Sequence, residues 1–323
     1  MQERQLGRSG LRVSRLALGT MTWGRDTDAD EAAVQLLAFA DAGGTLVDTA
    51  DVYGNGEAER ILGSLLGDLV PRDQLVLATK AVARRDGGPF GSGASRGALL
   101  AALDGSLRRL GVDHIDLWQL HAWDPTVPLE ETLATVDTAT ASGRVRYAGV
   151  SNYTAWQLAS AASWQRAVAG RAPVVSLQAE YSLLERSVEP HVCAAAQFHG
   201  VGLLPWAPLG RGVLTGKYRN GTPSDSRGAS EHLAGYVEHH RTERAARVVQ
   251  AVVTAADGLG TSPLAVALAW VRDRPGVVAP IVGARDAAQL AGSLAAEALV
   301  LPAAIRAALD DVSAGSGQEV SGS

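Results

Sequence analysis

Short apolar runs rich in valine and leucine alternate along this chain with longer stretches of helical period. The apolar runs cover residues 13–18, 45–47, 75–79, 115–120, 145–150, 174–177, 201–205 and 277–281. Helical patterns fill residues 28–42, 57–66, 95–110, 129–142, 154–169, 189–199, 242–256, 261–271 and 286–296. Gly43, Gly67, Gly111, Gly143 and Gly200 follow several of them, as expected where a helix ends. Regular alternation of strand and helix predicts a parallel sheet, and eight strands in one unit favour closure into an α/β barrel of the (β/α)8, or TIM, class.

The rhythm breaks between Trp206 and Ile281. A Gly-, Ser-, Pro- and Arg-rich loop over residues 210–230 is followed there by two helical stretches, so a long loop and extra helices are expected after strand 7. A single domain over residues 1–312 is predicted, with residues 313–323 as a Gly/Ser-rich disordered tail.

With 323 residues and 46% hydrophobic content, the chain can bury a large core. A net charge of −5, with no basic stripe, argues against nucleic acid as a partner. The lone cysteine, Cys193, excludes an internal disulfide and fits a reducing cytoplasm; its apolar neighbours predict a buried side chain. No signal peptide and no membrane-spanning run are read, and a metal is not expected. A homo-oligomer is compatible with this composition.

In barrels of this kind the chemistry lies at the C-terminal strand ends. Those ends carry Asp48, Lys80, His121, Ser151, Asn152 and Gln178, each polar and each directly after an apolar run. Tyr53 follows five residues beyond Asp48. A phenol with its ordinary pKa of about 10 is a poor acid at neutral pH. A neighbouring ammonium lowers that value, a carboxylate keeps the ammonium charged, and an imidazole can position a carbonyl oxygen. Asp48, Tyr53, Lys80 and His121 therefore form a candidate proton-transfer set. Trp23, Trp123 and Phe90, the last in a Gly-rich loop over residues 84–93, are expected to wall a substrate pocket with Tyr53 and His121. Trp156, Trp164 and Trp270 fall in helical stretches and are expected to pack between helix and barrel.

The segments Asp48-Thr-Ala-Asp-Val-Tyr53-Gly54, Ala78-Thr79-Lys80, Asp116-Leu-Trp-Gln-Leu-His121, Gly149-Val150-Ser151-Asn152 and Trp206-Ala-Pro-Leu-Gly-Arg-Gly resemble, in order and spacing, the motifs of the aldo-keto reductases, including the potassium-channel β-subunit-like branch. The likeness runs from about residue 6 to residue 301. It implies NADPH-dependent reduction of a small carbonyl substrate, with Asp48, Tyr53, Lys80 and His121 as the catalytic tetrad and Tyr53 as general acid. It implies that Tyr181 stacks on the nicotinamide and that Ser151, Asn152 and Gln178 bind its carboxamide side, with Gly19 and Thr20 nearby. Trp206, Ala207, Pro208, Leu209, Gly210 and Arg211 would lie under the pyrophosphate and ribose, with Lys217 and Arg227 as phosphate donors. Gly283, Arg285, Gln289 and Ser293 would hold the adenosine end, where Arg285 suits a 2′-phosphate. The pattern departs from the family at Gly292 and Ser293, where Glu and Asn are frequent. Two rival readings use the same barrel: a Schiff-base aldolase built on Lys80, and a regulatory subunit that binds the cofactor and turns over slowly.

Overall fold

The computed structural model describes residues 1–83, 88, 90–224, 226–230 and 234–314, with only the backbone described for Arg227. Its first elements are two short strands, β1 (Glu3–Gln5) and β2 (Arg12–Ser14), paired antiparallel with Arg4 opposite Val13. The apolar run over residues 13–18 is thus divided. Ser14 turns the corner: its hydroxyl donates to Leu16 O and accepts from the amides of Thr45 and Leu46. The chain then enters β3 (Ala17–Gly19), the first barrel strand.

Seven more strands run parallel to it: β4 (Leu46–Asp48), β5 (Val76–Ala81), β6 (Ile115–Leu120), β7 (Val145–Ser151), β8 (Val174–Glu180), β9 (Gly202–Trp206) and β10 (Ile281–Gly283). The sheet order is β10-β3-β4-β5-β6-β7-β8-β9, a nearly closed eight-stranded barrel of the (β/α)8 class. Closure between β9 and β10 is thin. Among the described residues a single bridge, Leu203 to Val277, joins this side, through Leu203 N to Gly276 O and Val278 N to Leu203 O, each 2.9 Å. Residues 277–280 are therefore not the strand that their apolar run suggested, and Pro280 has no N–H to offer a ladder.

Helices sheathe the barrel: α1 (Ala29–Asp41), α2 (Glu57–Leu65), α3 (Arg96–Leu110), α4 (Leu129–Ala141), α5 (Ala155–Arg166) and α6 (Ala194–His199). After β9 come α7 (Ala234–Glu238), α8 (Glu243–Leu259) and α9 (Pro263–Arg272), and after β10 come α10 (Ala287–Ala295) and α11 (Ala303–Ser313). The helix starts are set by local chemistry. Asp28, Ser95, Thr242, Ser262 and Asp286 each cap an otherwise unbonded amide, and Thr154 forms a capping box with Gln157. The short α7 and the terminal α11 had no clear periodic signal, and buried Ser313 belongs to α11 rather than to a tail. Residues 315–323 lie outside the described part.

Two apolar layers hold this together. Inside the barrel, Ala17, Leu46, Ala78, Leu117, Val175, Leu204 and Ile281 pack on one another, and Leu6 and Val13 of the hairpin close the bottom. Full burial of a side chain such as Leu6 contributes about 2 kcal/mol. Between barrel and helices lies the larger layer, which includes Trp118, Phe39 and Trp270. Trp270 packs as expected, whereas Trp156 and Trp164 stand exposed on α5, and Cys193 is only half-buried. No single helix among the described residues is long and apolar enough to cross a membrane.

Candidate active site

Strand register gathers the polar strand ends. Asp48 pairs with Ala78, so Lys80 emerges one inward step further along β5; Lys80 in turn pairs with Gln119, and Ser151 with Gln178. Gly149 leaves the barrel interior open at this level, since a Cβ there would collide with Ser176 Oγ.

Lys80 is fully buried, and its ammonium uses all three protons. It donates to Asp48 Oδ2 at 2.6 Å, to Thr49 O at 2.8 Å and to the Tyr53 hydroxyl at 3.3 Å. The other Asp48 oxygen accepts from Gln178 Nε2 at 2.8 Å and Gln119 Nε2 at 3.3 Å. Burial works against the lysine's charge, but Asp48 and then Tyr53 outweigh it and leave the Lys80 pKa raised. Tyr53 departs from expectation. Burial pushes its pKa up, and the lowering by Lys80 does not cancel that, so the phenol keeps its proton in the free protein. His121 sits edge-on to Tyr53, ring centroids 6.1 Å apart. Burial first and the Lys80 charge second pull His121 down to about 3, so its imidazole is neutral at ordinary pH. Its Nδ1 is buried and has no hydrogen-bond partner among the described residues.

Above these groups opens a cavity of about 630 Å³. Gly19, Asp48, Tyr53, His121, Ser151, Asn152, Gln178 and Trp206 line its inner end. Asn152, left-handed with φ 58°, links the walls: it donates to His121 O and accepts from Trp206 Nε1. Ala207, Pro208, Leu209, Arg211 and Lys217 line the middle, and Gly283, Arg285, Gln289 and Ser293 the far end, around the start of α10. Asp286 already binds the Gln289 amide there, so a phosphate would find Arg285 rather than that N–H. Among the described residues the Arg285 guanidinium has no hydrogen-bond or ion-pair partner.

Several expected residues lie elsewhere. Tyr181 is buried behind the wall, edge-on to Trp270, its hydroxyl donating to Glu189 and accepting from Arg274; it does not reach the cavity. Trp206 lines the cavity there instead, with Tyr53 and His121. Trp23 is core, fully buried and bonded to Gln35 Oε1 at 3.2 Å. Phe90 is exposed and borders a separate hollow near α3, while Trp123 packs against Tyr153 and Trp156. Thr20 lies beneath the site, donating to Asp48 O, and Gly210 is buried in the turn behind it. The Arg227 side chain lies outside the described part.

Arg211 reaches the cavity but is spoken for. Glu180 takes it with both oxygens, at 3.0 and 2.7 Å, and also meets His240 at 2.9 Å. The Tyr236 ring lies 3.6 Å from the guanidinium and forms part of the wall. Met21, Thr22, Gly212, Thr215, Pro223, Ser226, Tyr236, Leu264, Ile281 and Val282 also border the cavity and were not anticipated. The glycine-rich stretch after Trp206 and the end of the apolar run at Ile281 carried a signal for some of them.

The arrangement can hold a proton on a phenol beside a permanent cation and offer a neutral imidazole to the same point, the chemistry of a carbonyl oxygen gaining charge. Comparison with known proteins agrees. The aldo/keto reductase family profile matches residues 15–314. A probable voltage-gated potassium channel subunit beta from rice (Oryza sativa subsp. japonica) is 37% identical over 92% of this chain and 91% of its own length. The uncharacterized oxidoreductase YrpG of Bacillus subtilis (strain 168) is 36% identical over 99% and 98%. The L-glyceraldehyde 3-phosphate reductase of Escherichia coli (strain K12) is 36% identical over 90% and 86%. With that match over nearly its whole length and this cluster at the barrel mouth, the chain belongs to the aldo/keto reductase family and to its NADP-dependent oxidoreductases.

Proposed function

We propose that the protein takes up NADPH and reduces an aldehyde or ketone to an alcohol, with Tyr53 as the proton donor. One observation carries this reading: a single ammonium, Lys80, bonds both Asp48 and the Tyr53 hydroxyl at the inner end of a cavity whose far end offers Arg285, a guanidinium without a partner among the described residues. The donor set fits a phosphorylated dinucleotide. Trp206, Ser151, Asn152 and Gln178 would hold its nicotinamide end, Ala207, Pro208, Leu209 and Lys217 its pyrophosphate, and Gly283, Arg285, Gln289 and Ser293 its adenosine end. When bound, the reduced nicotinamide supplies the hydride.

The chain's own groups handle the proton. As the carbonyl carbon is reduced, negative charge gathers on its oxygen. Tyr53 gives that oxygen its hydroxyl proton, and the phenolate left behind faces the Lys80 ammonium. Asp48 keeps Lys80 charged and aimed. Neutral His121 donates its one N–H to the same oxygen and orients it. Because burial raises the Tyr53 pKa, the proton stays in place until the oxyanion forms.

An aldolase would need Lys80 as a free amine. With three hydrogen bonds committed and its pKa raised, Lys80 is a poor candidate for that nucleophile. The likeness to the rice potassium channel subunit supports a second reading, a regulatory subunit that binds the cofactor in the same cavity. Following NADPH oxidation over a panel of aldehydes and ketones tests both. Rapid turnover supports the reductase, and tight NADPH uptake without turnover supports the regulatory subunit. Failure to bind NADPH overturns both.

A further inference from the structure

The turn that carries Tyr53 is unusual. Gly54, Asn55 and Gly56 are all left-handed, with φ of 56°, 55° and 86°. Glycine takes this region without strain and Asn55 at modest cost, and backbone bonds such as Asn55 N to Val52 O close the turn on itself, but they do not fix it against β5. We propose that Glu59 and Arg109 are a positioning pair that fixes this turn against β5 and so sets the separation of the Tyr53 hydroxyl from Lys80; this rests on the role given to Tyr53 above.

The geometry runs in one chain of contacts. Glu59 follows the turn in the first turn of α2 and is fully buried. One of its oxygens accepts from Thr79 Oγ1 at 2.6 Å, and Thr79 is the neighbour of Lys80 on β5. The other accepts from Arg109 Nε at 2.6 Å. Arg109 comes from α3, steadied by Ser106 Oγ at 3.3 Å, and its stem lies over the turn: a Cβ on Gly56 would meet Arg109 Cδ at 2.7 Å. One carboxylate thus ties the helix after Tyr53 to the strand of Lys80, while its partner arginine presses on the turn between them. A buried ion pair is a poor choice for cohesion alone, since apolar side chains of similar volume serve as well. It is a good choice for fixing direction. The Lys80–Tyr53 contact, at 3.3 Å, is already long, so a small shift of the turn breaks it.

The test uses the full chain, NADPH and 4-nitrobenzaldehyde. Arg109→Met is expected to lower kcat by about tenfold, less than the roughly hundredfold that a misplacement of about 1 Å can cost. NADPH affinity, read by tryptophan fluorescence titration, is expected to stay unchanged, and Arg109→Lys to restore part of the rate. Gly56→Ala disturbs the same contact from the other side without removing a charge, and is expected to lower kcat likewise. If Arg109→Met does not fold, Gly56→Ala and Arg109→Lys carry the comparison. The decisive step repeats each substitution in a Tyr53→Phe background, where the residual rate is expected not to fall further. A full further loss there, or a parallel loss of NADPH affinity, overturns the positioning role. Full activity of Tyr53→Phe alone overturns the role of Tyr53 instead, so the two failures are distinct.

Discussion

Both carboxylate oxygens of Glu180 are bound by the Arg211 guanidinium, at 3.0 and 2.7 Å, on the wall of the cavity. An arginine so engaged is a strut more than a phosphate receptor. Its third partner is Tyr236 O, so the pair ties the end of β8 to α7. The side chains are only 11% and 16% exposed. Arg211→Met therefore leaves a shielded carboxylate with only His240 to answer it and is expected to cost about 3 kcal/mol of stability, the low end for a broken buried pair. Urea unfolding curves measure this; a midpoint equal to that of the parent chain would contradict it.

Arg285 is the opposite case, a guanidinium at the cavity's end with no partner among the described residues. Arg285→Ala is expected to weaken NADPH about tenfold, the loss of one charge-assisted contact, and NADH less than twofold. Calorimetric titration of both nucleotides decides this. Equal losses would remove the link to the 2′-phosphate.

Tyr53→Phe keeps the ring and removes the proton. The expected fall in kcat is about 100-fold to 10,000-fold, the usual contribution of a positioned general acid. NADPH affinity should hold, because the ring and the cavity wall remain. Single-turnover kinetics separates chemistry from cofactor release and makes the comparison clean.

His121 gives a prediction in pH. Its folded pKa of about 3 lies below the ordinary 6.5, so the unfolded chain binds the proton more readily. Its contribution to stability is fully present above pH 6.5 and is lost as pH falls from there toward 3. At pH 5 the loss amounts to about 2 kcal/mol relative to neutral pH. His121→Asn should lack this acid-side loss, which paired denaturation curves at pH 7 and pH 5 would reveal. For the same reason kcat should show no inflection from His121 between pH 5 and pH 8.

That Asp48, Lys80 and His121 gather at one end of the barrel was legible because strand geometry is periodic. A polar residue directly after a buried apolar run can only sit at the barrel mouth, and parallel register then places Asp48 and Lys80 side by side. Rings beyond the strand ends obey no such rule. Trp23 and Trp206 both follow an apolar run, yet Gln35 on α1 draws one into the core and Asn152 holds the other at the cavity. Tyr181 lies elsewhere for a like reason: Glu189, across the next turn, and Arg274, distant in sequence, claim its hydroxyl. The pKa of Tyr53 was misjudged because its charged neighbours are visible in the sequence while its depth is not.

The thin closure at Leu203 has a consequence for traffic through the cavity. Residues after β9 form one bank of the crevice, from Trp206 to Leu209, and residues after β10 form the other, from Gly283 to Ser293. The barrel's least stitched seam therefore runs beneath the place where a long ligand must enter. Opening along that seam would break only the Leu203 bridge and no complete strand pair. A molecule lying across both banks acts as a suture, so amide exchange at Leu203 and Val278 should slow when NADPH binds and quicken when it leaves.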